Sequence, residues 1–216
     1  MKAAIFDFET SGLPLFNEPS EDPRQPHICE VAVLLFDGTE LVDTMHHVIK
    51  QDGWTVDPEA FKAHGITLER SMQEGIDEWL AHSKFHQFMQ RTDVRVAHNE
   101  QFDQRIARIA YKRFNDGVDG WAATSQDVRD QLADMFKARP AYCTMKTSTP
   151  ILNLPATKAM RKSGRGSWKK PPSLAEAYRH FFNEDFDNAH SALADTWACA
   201  RVYFKLTQNV DIGKPS

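Results

Sequence analysis

Apolar residues open the chain almost without interruption, in MKAAIFDFET, until Asp7 and Glu9 break the run. A short apolar stretch of this kind predicts a buried strand over residues 2–8. NEPSEDPRQPH (17–27) carries three prolines and several charges and predicts a loop. ICEVAVLLFDGTELVDTMHHVIK (28–50) holds two β-rich runs around Asp37-Gly38, the pattern of a hairpin. Residues 53–67 read as irregular with a short helical piece. Residues 74–90 predict an amphipathic helix with Ile76, Trp79, Leu80 and Phe88 among its apolar positions. VRVAH (94–98) predicts a strand. QFDQRIARIAYKRF (101–114) follows as a helix, with Phe102, Ile106, Ile109 and Ala110 at helical spacing. Further helices are expected at 127–137 and 190–207, and Ser173-x-x-Glu176 is a capping box that opens another. Residues 153–172 read as a Pro/Gly/Lys/Arg loop. Strands first, then helix, strand and more helices, predict a mixed sheet with packed helices in an α/β domain. There is no internal repeat and no linker that would split it.

The carboxylates at the end of the first strand change the picture. Residues two apart on a strand point the same way, so Asp7 and Glu9 share a side. Two like charges there repel unless a proton, a basic side chain or a metal ion intervenes. Two more acids fall near element ends. Asp103 starts a helix just after the strand that ends in Ala97-His98-Asn99, and Asp195 lies about one turn into the last helix. His190, five residues before Asp195, cannot share its helical face and belongs to the preceding loop. An α/β fold gathers its site at such ends. Hard oxygen donors suit Mg²⁺ or Mn²⁺. Two such ions, about 3.5–4 Å apart, stabilise both the attacking and the leaving oxygen of a phosphoryl displacement.

Composition adds little and excludes some classes. The chain has 216 residues, 41% of them hydrophobic and 26% charged, with a net charge of −4. That suits one globular domain and carries no global signature of nucleic-acid binding, although a local basic patch can serve. Cys29, Cys143 and Cys199 form no CxxC pair and are expected to be reduced. Those cysteines read as mostly buried residues of a cytoplasmic protein, and no apolar run reaches a membrane span or a signal-peptide core. His46-His47 and the His82/His86 pair lack a third zinc ligand, and the second pair is expected on a solvated face. The acidic stretch 17–22 is expected to be a mobile surface loop rather than a lid.

Three segments resemble a known family. Asp7-Phe8-Glu9-Thr10-Ser11-Gly12 resembles the first motif of the DEDD exonucleases, and Ala97-His98-Asn99-Glu100-Gln101-Phe102-Asp103 resembles the second. His190-x4-Asp195 looks like the third motif of the His-bearing, DEDDh branch. Asp57-Pro58-Glu59-Ala60-Phe61 and His64-Gly65-Ile66-Thr67 are similar to a stretch between the first two motifs. The resemblance is to DnaQ-like 3′–5′ exonucleases, which include proofreading subunits and stand-alone phage and bacterial enzymes. It runs from residue 2 to about 206. It implies an RNase H-like fold with a mixed five-stranded sheet flanked by helices, an exonuclease domain over 1–208 and a short tail at 209–216.

The same resemblance implies roles. Asp7, Glu9, Asp103 and Asp195 would ligate two Mg²⁺ or Mn²⁺ ions, and His190 would be the general base. A histidine suits this because its ordinary pKa, about 6.5, lies near working pH. Thr10 would hold the 3′-terminal nucleotide, Glu59 would touch its 3′-hydroxyl, and Phe102 and His64 would pack on terminal bases. His98 and Asn99 would be structural hydrogen-bonders. The loop NLPATKAMRKSGRGSWKKPPS contributes Lys158, Arg161, Lys162, Arg165, Lys169, Lys170 and Trp168 with no acid among them. A basic stretch with an embedded aromatic is what a single-stranded nucleic-acid clamp needs. The expected partner is a single-stranded 3′ end, DNA rather than RNA, with a DNA polymerase as a second chain if the role is proofreading. Exoribonuclease or oligoribonuclease activity and a non-catalytic nucleic-acid-binding module are the alternatives, because carboxylates read phosphate rather than sugar.

Overall fold

A computed structural model describes residues 1–113, 125–186 and 190–213. Five strands form one mixed sheet in the order β3-β2-β1-β4-β5. β1 (Lys2–Thr10) lies at its centre. It pairs antiparallel with β2 (Ile28–Asp37) and parallel with β4 (Val94–Ala97). β3 (Glu40–Val48) extends the antiparallel side, and β5 (Ala141–Cys143) the parallel side. The expected hairpin is present, with Gly38 at φ 61° supplying the left-handed residue of its turn. β1 runs past its parallel neighbour: its last pairing with β4 is Ile5↔Val96, while its pairing with β2 continues to Thr10. Asp7 and Glu9 therefore sit on an overhang where the hydrogen-bonding edge towards β4 is open.

Both faces of the sheet are covered, which explains why β2 is apolar at nearly every position. Ala4, Phe6, Phe8, Val31, Val33 and Leu35 face α3 (Glu78–Gln90), α4 (Glu100–Arg113) and α5 (Gln126–Ala138) through Phe85, Met89, Ile106, Ala110 and Phe136. Ala3, Ile5, Leu34 and Phe36 face α9 (Ala192–Gln208) through Cys199, Ala200, Tyr203 and Phe204. Asp7 and Glu9 continue the row of Ala3 and Ile5, so they point to the α9 side. α8 (Leu174–Phe182) packs on α9 and starts with the expected capping box, in which Ser173 and Glu176 bond each other's backbone.

Several elements differ from expectation. The helix expected over 74–90 begins at Glu78, because Ile76 instead bridges Ile49 in a strand-like contact. Its buried face is Ala81, His82, Phe85 and Met89, with Trp79 and Leu80 only half-buried. His82 is accordingly not on a solvated face: its ring meets Tyr111 edge-on at 4.3 Å, and burial lowers its pKa to about 3. His86 bonds the Tyr111 hydroxyl at 2.9 Å. The short helical piece is α1 (Pro58–His64), and α2 (Leu68–Glu74) and α6 (Thr144–Leu152) were not foreseen. The basic loop contains a one-turn helix, α7 (Lys158–Lys162), capped by Thr157. The 17–27 loop is irregular as expected and carries bonds that the sequence does not predict. Gln25 is buried and its amide bonds Leu15 and Pro19 carbonyls, while Arg105 reaches the Leu15 and Glu18 carbonyls. The last helix starts at Ala192, two residues later than expected, and the residues after it are anchored by Asp211 on Arg201 at 2.7 Å.

Candidate active site

Each acidic side chain is delivered by a different regularity of the chain. Asp7 and Glu9 project from the β1 overhang by strand alternation. Asp103 continues the buried stripe of α4 through Ala107 and Ala110, at i, i+4 and i+7, and is 2% exposed. Asp195 lies one turn ahead of the buried Cys199 on α9, facing β1. His190 precedes that helix in a turn at φ 72°, exposed, with its backbone N–H donating to Asp195 Oδ1 at 3.3 Å. The expectation that His190 belongs to the loop and Asp195 to the first turn holds.

The electrostatics answer the question that Asp7 and Glu9 raise. Burial, then Asp195 and Glu30, push the Asp7 carboxyl well above its ordinary range. Burial, then Asp7, Asp195 and Glu30, push Glu9 to about 9. Asp103 is raised by burial and by Asp7, against an opposing hydrogen bond from the Phe8 backbone. Asp195 is raised to about 6 by burial, with the His190 backbone and ring pulling the other way. Among the described residues, the groups acting on these four carboxylates include no lysine or arginine. Asp103 Oδ1 is buried without a hydrogen-bond partner. Glu9, His190 and Asp195 each bring one donor atom to within 4.8 Å of the others. Four carboxylates acting on one another, one orphaned buried oxygen and, among the described residues, no lysine or arginine partner are a donor set that fits hard divalent cations.

A groove of about 790 Å³ leads away from Glu9. Its lining gathers Thr10, Glu59, His64 and Phe102, four of the residues singled out as substrate contacts, together with Leu13 and Ala63. Thr10 is buried and its hydroxyl donates to the Gly12 carbonyl at 2.8 Å. Phe102 lines the groove and also packs on the core. The His64 ring accepts from the Ile66 N–H at 3.0 Å, and burial lowers its pKa. Gly65 at φ 66° closes α1 in the left-handed conformation. A Cβ at Gly12 would collide with the carboxylate of Asp57, the N-cap residue of α1.

The basic loop stands apart from the groove and is tied to the sheet at its far end. His98 Nε2 meets the Pro172 carbonyl at 3.0 Å and its Nδ1 meets Thr144 Oγ1 at 2.9 Å, the structural role expected for His98. Asn99 sits at φ 69° and its carbonyl accepts from Phe102 N at 2.8 Å. Lys158, Arg165, Lys169 and Trp168 are exposed, the last at 62%. Arg161 is exposed yet donates to the Ala156 carbonyl, and Lys170 pairs with Glu176, so these two are engaged within the protein.

Two contributors escaped the sequence reading. Leu13, 75% exposed at the groove, was legible only as the residue after the Thr-Ser-Gly turn. Glu30, the cross-strand partner of Glu9, is 1% exposed and acts on three of the four carboxylates. Its signal was a lone acid inside an otherwise apolar strand, ICEVAVLLF.

A carboxylate cluster with an adjoining imidazole lies at the open end of a mixed five-stranded sheet flanked by helices, the architecture of an RNase H-like fold. Residues 4–203 match the exonuclease family model RNase_T, and the chain belongs to that exonuclease family, in its DEDDh branch. A DNA polymerase III of PolC type from Thermotoga maritima is 31% identical over 114 residues, which are 50% of this chain and 7% of that polymerase. Solved structures of E. coli exonuclease I share the fold. The zinc-bound complex with single-stranded DNA superposes with a TM-score of 0.62 at 18% identity, covering 96% of this chain and 41% of that one. The complex with a dT13 oligonucleotide gives 0.63 at 17%, covering 96% and 42%. The chain thus spans less than half the length of these solved proteins. Among the described residues, no helix is long and apolar enough to cross a membrane.

Proposed function

We propose that the protein is a divalent-metal-dependent 3′–5′ exonuclease that removes nucleoside 5′-monophosphates from single-stranded DNA. The observation that carries this reading is the partly buried carboxylate cluster, without a lysine or arginine partner among the described residues, next to His190 and at the head of an apolar groove. Asp7, Glu9, Asp103 and Asp195 would hold two Mg²⁺ or Mn²⁺ ions. Such ions would lower the pKa of water and offset charge on the scissile phosphate.

The remaining roles belong to the chain. His190, exposed and oriented through its backbone bond to Asp195, accepts the proton of the attacking water. The water oxygen bonds to phosphorus, the bond to the 3′-oxygen of the preceding nucleotide breaks, and that oxygen takes a proton from solvent and leaves as a hydroxyl. Leu13 and Phe102 pack against the terminal bases, which any base satisfies because stacking ignores sequence. Glu59 and Thr10 contact the terminal sugar, and His64 flanks it from the end of α1. Lys158, Arg165 and Lys169, with Trp168 among them and Arg161 shaping the loop, hold the trailing backbone.

The deoxyoligonucleotide in the exonuclease I complex supports DNA as substrate, and the likeness to a PolC-type polymerase supports a proofreading context with a polymerase as partner chain. Matched 5′-labelled DNA and RNA oligonucleotides test the reading, with released nucleotides identified by mass spectrometry. Faster stepwise loss of 5′-monophosphates from DNA is expected. Faster loss from RNA would reassign the substrate, and binding without cleavage would replace the enzyme by a binding module.

A further inference from the structure

The buried acid Glu30 has no place in the chemistry above, yet its surroundings are specific. It sits on β2 directly across from Glu9. Its Oε2 accepts from the backbone N–H of Ala192 at 2.8 Å, and Ala192 is the first residue of α9. Its Oε1 meets His46 Nε2 at 2.8 Å, and Arg70 from α2 stands 3.6 Å away. A helix start normally satisfies one free N–H with the side chain of its own N-cap residue. Ser191, the N-cap of α9, makes no such bond. The same helix turn carries Asp195, and the residue before the cap is His190. An acid below a helix N-terminus is also favoured by the helix dipole.

We infer that Glu30 is a positioning residue: it caps α9 from the neighbouring strand and thereby fixes His190 and Asp195 against Asp7 and Glu9. His46 and Arg70 hold its carboxylate in that orientation. The sheet then sets the relation between the first motif and the third directly, through one hydrogen bond from the strand paired with β1. This inference rests on the exonuclease reading for its catalytic consequence, but not for the cap itself.

The test compares Glu30→Ala and Glu30→Gln in the full chain. The amide keeps an acceptor for Ala192 N–H and removes the charge. Two readouts are taken: hydrogen exchange of the Ala192 amide and of the β1 and β2 amides, and kcat and KM on a single-stranded oligonucleotide at saturating Mg²⁺. Exchange at Ala192 is expected to speed up about fivefold or more in Glu30→Ala, with the sheet amides unchanged. kcat is expected to fall about 10–100-fold, with KM within about twofold, because misplacing a catalytic group by an ångström costs that much. Glu30→Gln is expected to keep Ala192 protected and kcat within about threefold of wild type, consistent with the cap being the shared element. Native exchange and kcat in Glu30→Ala would overturn the inference. So would a Glu30→Gln protein that protects Ala192 but loses kcat tenfold, since charge and not the cap would then matter. A fall in kcat with loosening of the whole sheet would also overturn it. If Glu30→Ala does not fold, Glu30→Asp takes its place, since the shorter side chain withdraws the acceptor from Ala192 N–H and keeps the charge; faster Ala192 exchange with lower kcat is expected, and native values of both would overturn the inference. Wild-type protein that cleaves nothing would instead remove the exonuclease reading, and the exchange arm would still decide the cap.

Discussion

Replacing Glu9 by glutamine should stabilise the metal-free protein, and by an amount that grows with pH. Glu9 is raised from 4.5 to about 9, first by burial and then by Asp7, Asp195 and Glu30. Between those values the folded protein keeps a proton that the unfolded chain releases, so folding stability falls as pH rises through the window. The contribution is complete below pH 4.5 and lost by pH 9. The difference between those two values corresponds to at most about 6 kcal/mol. Solvent at the groove mouth and relaxation around the charge reduce this to about 3 kcal/mol. For a chain of this size that is roughly 6–12 °C in melting temperature. Thermal melting of wild type and Glu9→Gln in EDTA, at pH 5, 7 and 9, measures it. The gap between them should be small at pH 5 and should favour Glu9→Gln by several degrees at pH 9. Mg²⁺ should raise the wild-type melting temperature at pH 8 and do far less for the variant. A variant destabilised equally at all three pH values, or a wild type indifferent to Mg²⁺ at pH 8, would refute the reasoning.

Other consequences follow from the same geometry. His190→Ala should lower kcat about 10²–10⁴-fold while leaving binding of a single-stranded oligonucleotide intact, checked by single-turnover kinetics and fluorescence anisotropy. Removing Lys158, Arg165 and Lys169 together should reduce the slope of log K against log salt for single-stranded DNA by about 2, read by titration at several salt concentrations. Arg95 is fully buried between Glu100, the Lys137 carbonyl and the Phe136 ring, whose centroid lies 4.7 Å from its guanidinium carbon. Arg95→Met leaves Glu100 unpaired at the start of α4, and should cost about 3–5 kcal/mol in denaturant unfolding. Restoring stability with Glu100→Gln in the same chain would attribute that cost to the pair.

Much of the site was legible because its residues obey strong local rules. Alternation put Asp7 and Glu9 on one side, and the 3.6-residue period separated His190 from Asp195. The Ser173/Glu176 box and the Asp37-Gly38 turn are short-range signals that tertiary structure had no reason to override. What escaped has physical causes as well. β5 is three residues long, and α6 carries Pro150 and three threonines, so neither presents a period or a propensity to read. His82 looked solvated because a histidine on a polar helix usually is. Its burial depends on Tyr111 and Phe85, brought together by the packing of α3 on α4. Glu30 gave no local signal of its role, since its partners lie on β3, α2 and α9, from 16 to 162 residues away. The bonds of the 17–27 loop likewise come from Gln25 and Arg105, which no local pattern couples.

The central claim, that these carboxylates assemble a metal-dependent exonuclease centre, is tested most directly by one measurement. Wild type and Asp7→Ala are each incubated with a 5′-labelled single-stranded DNA oligonucleotide, in Mg²⁺ and in EDTA, and the products are resolved to single nucleotides. The account predicts a ladder that shortens from the 3′ end only for wild type in Mg²⁺. Shortening that persists in EDTA or in Asp7→Ala, or an intact oligonucleotide with wild type in Mg²⁺, would contradict it.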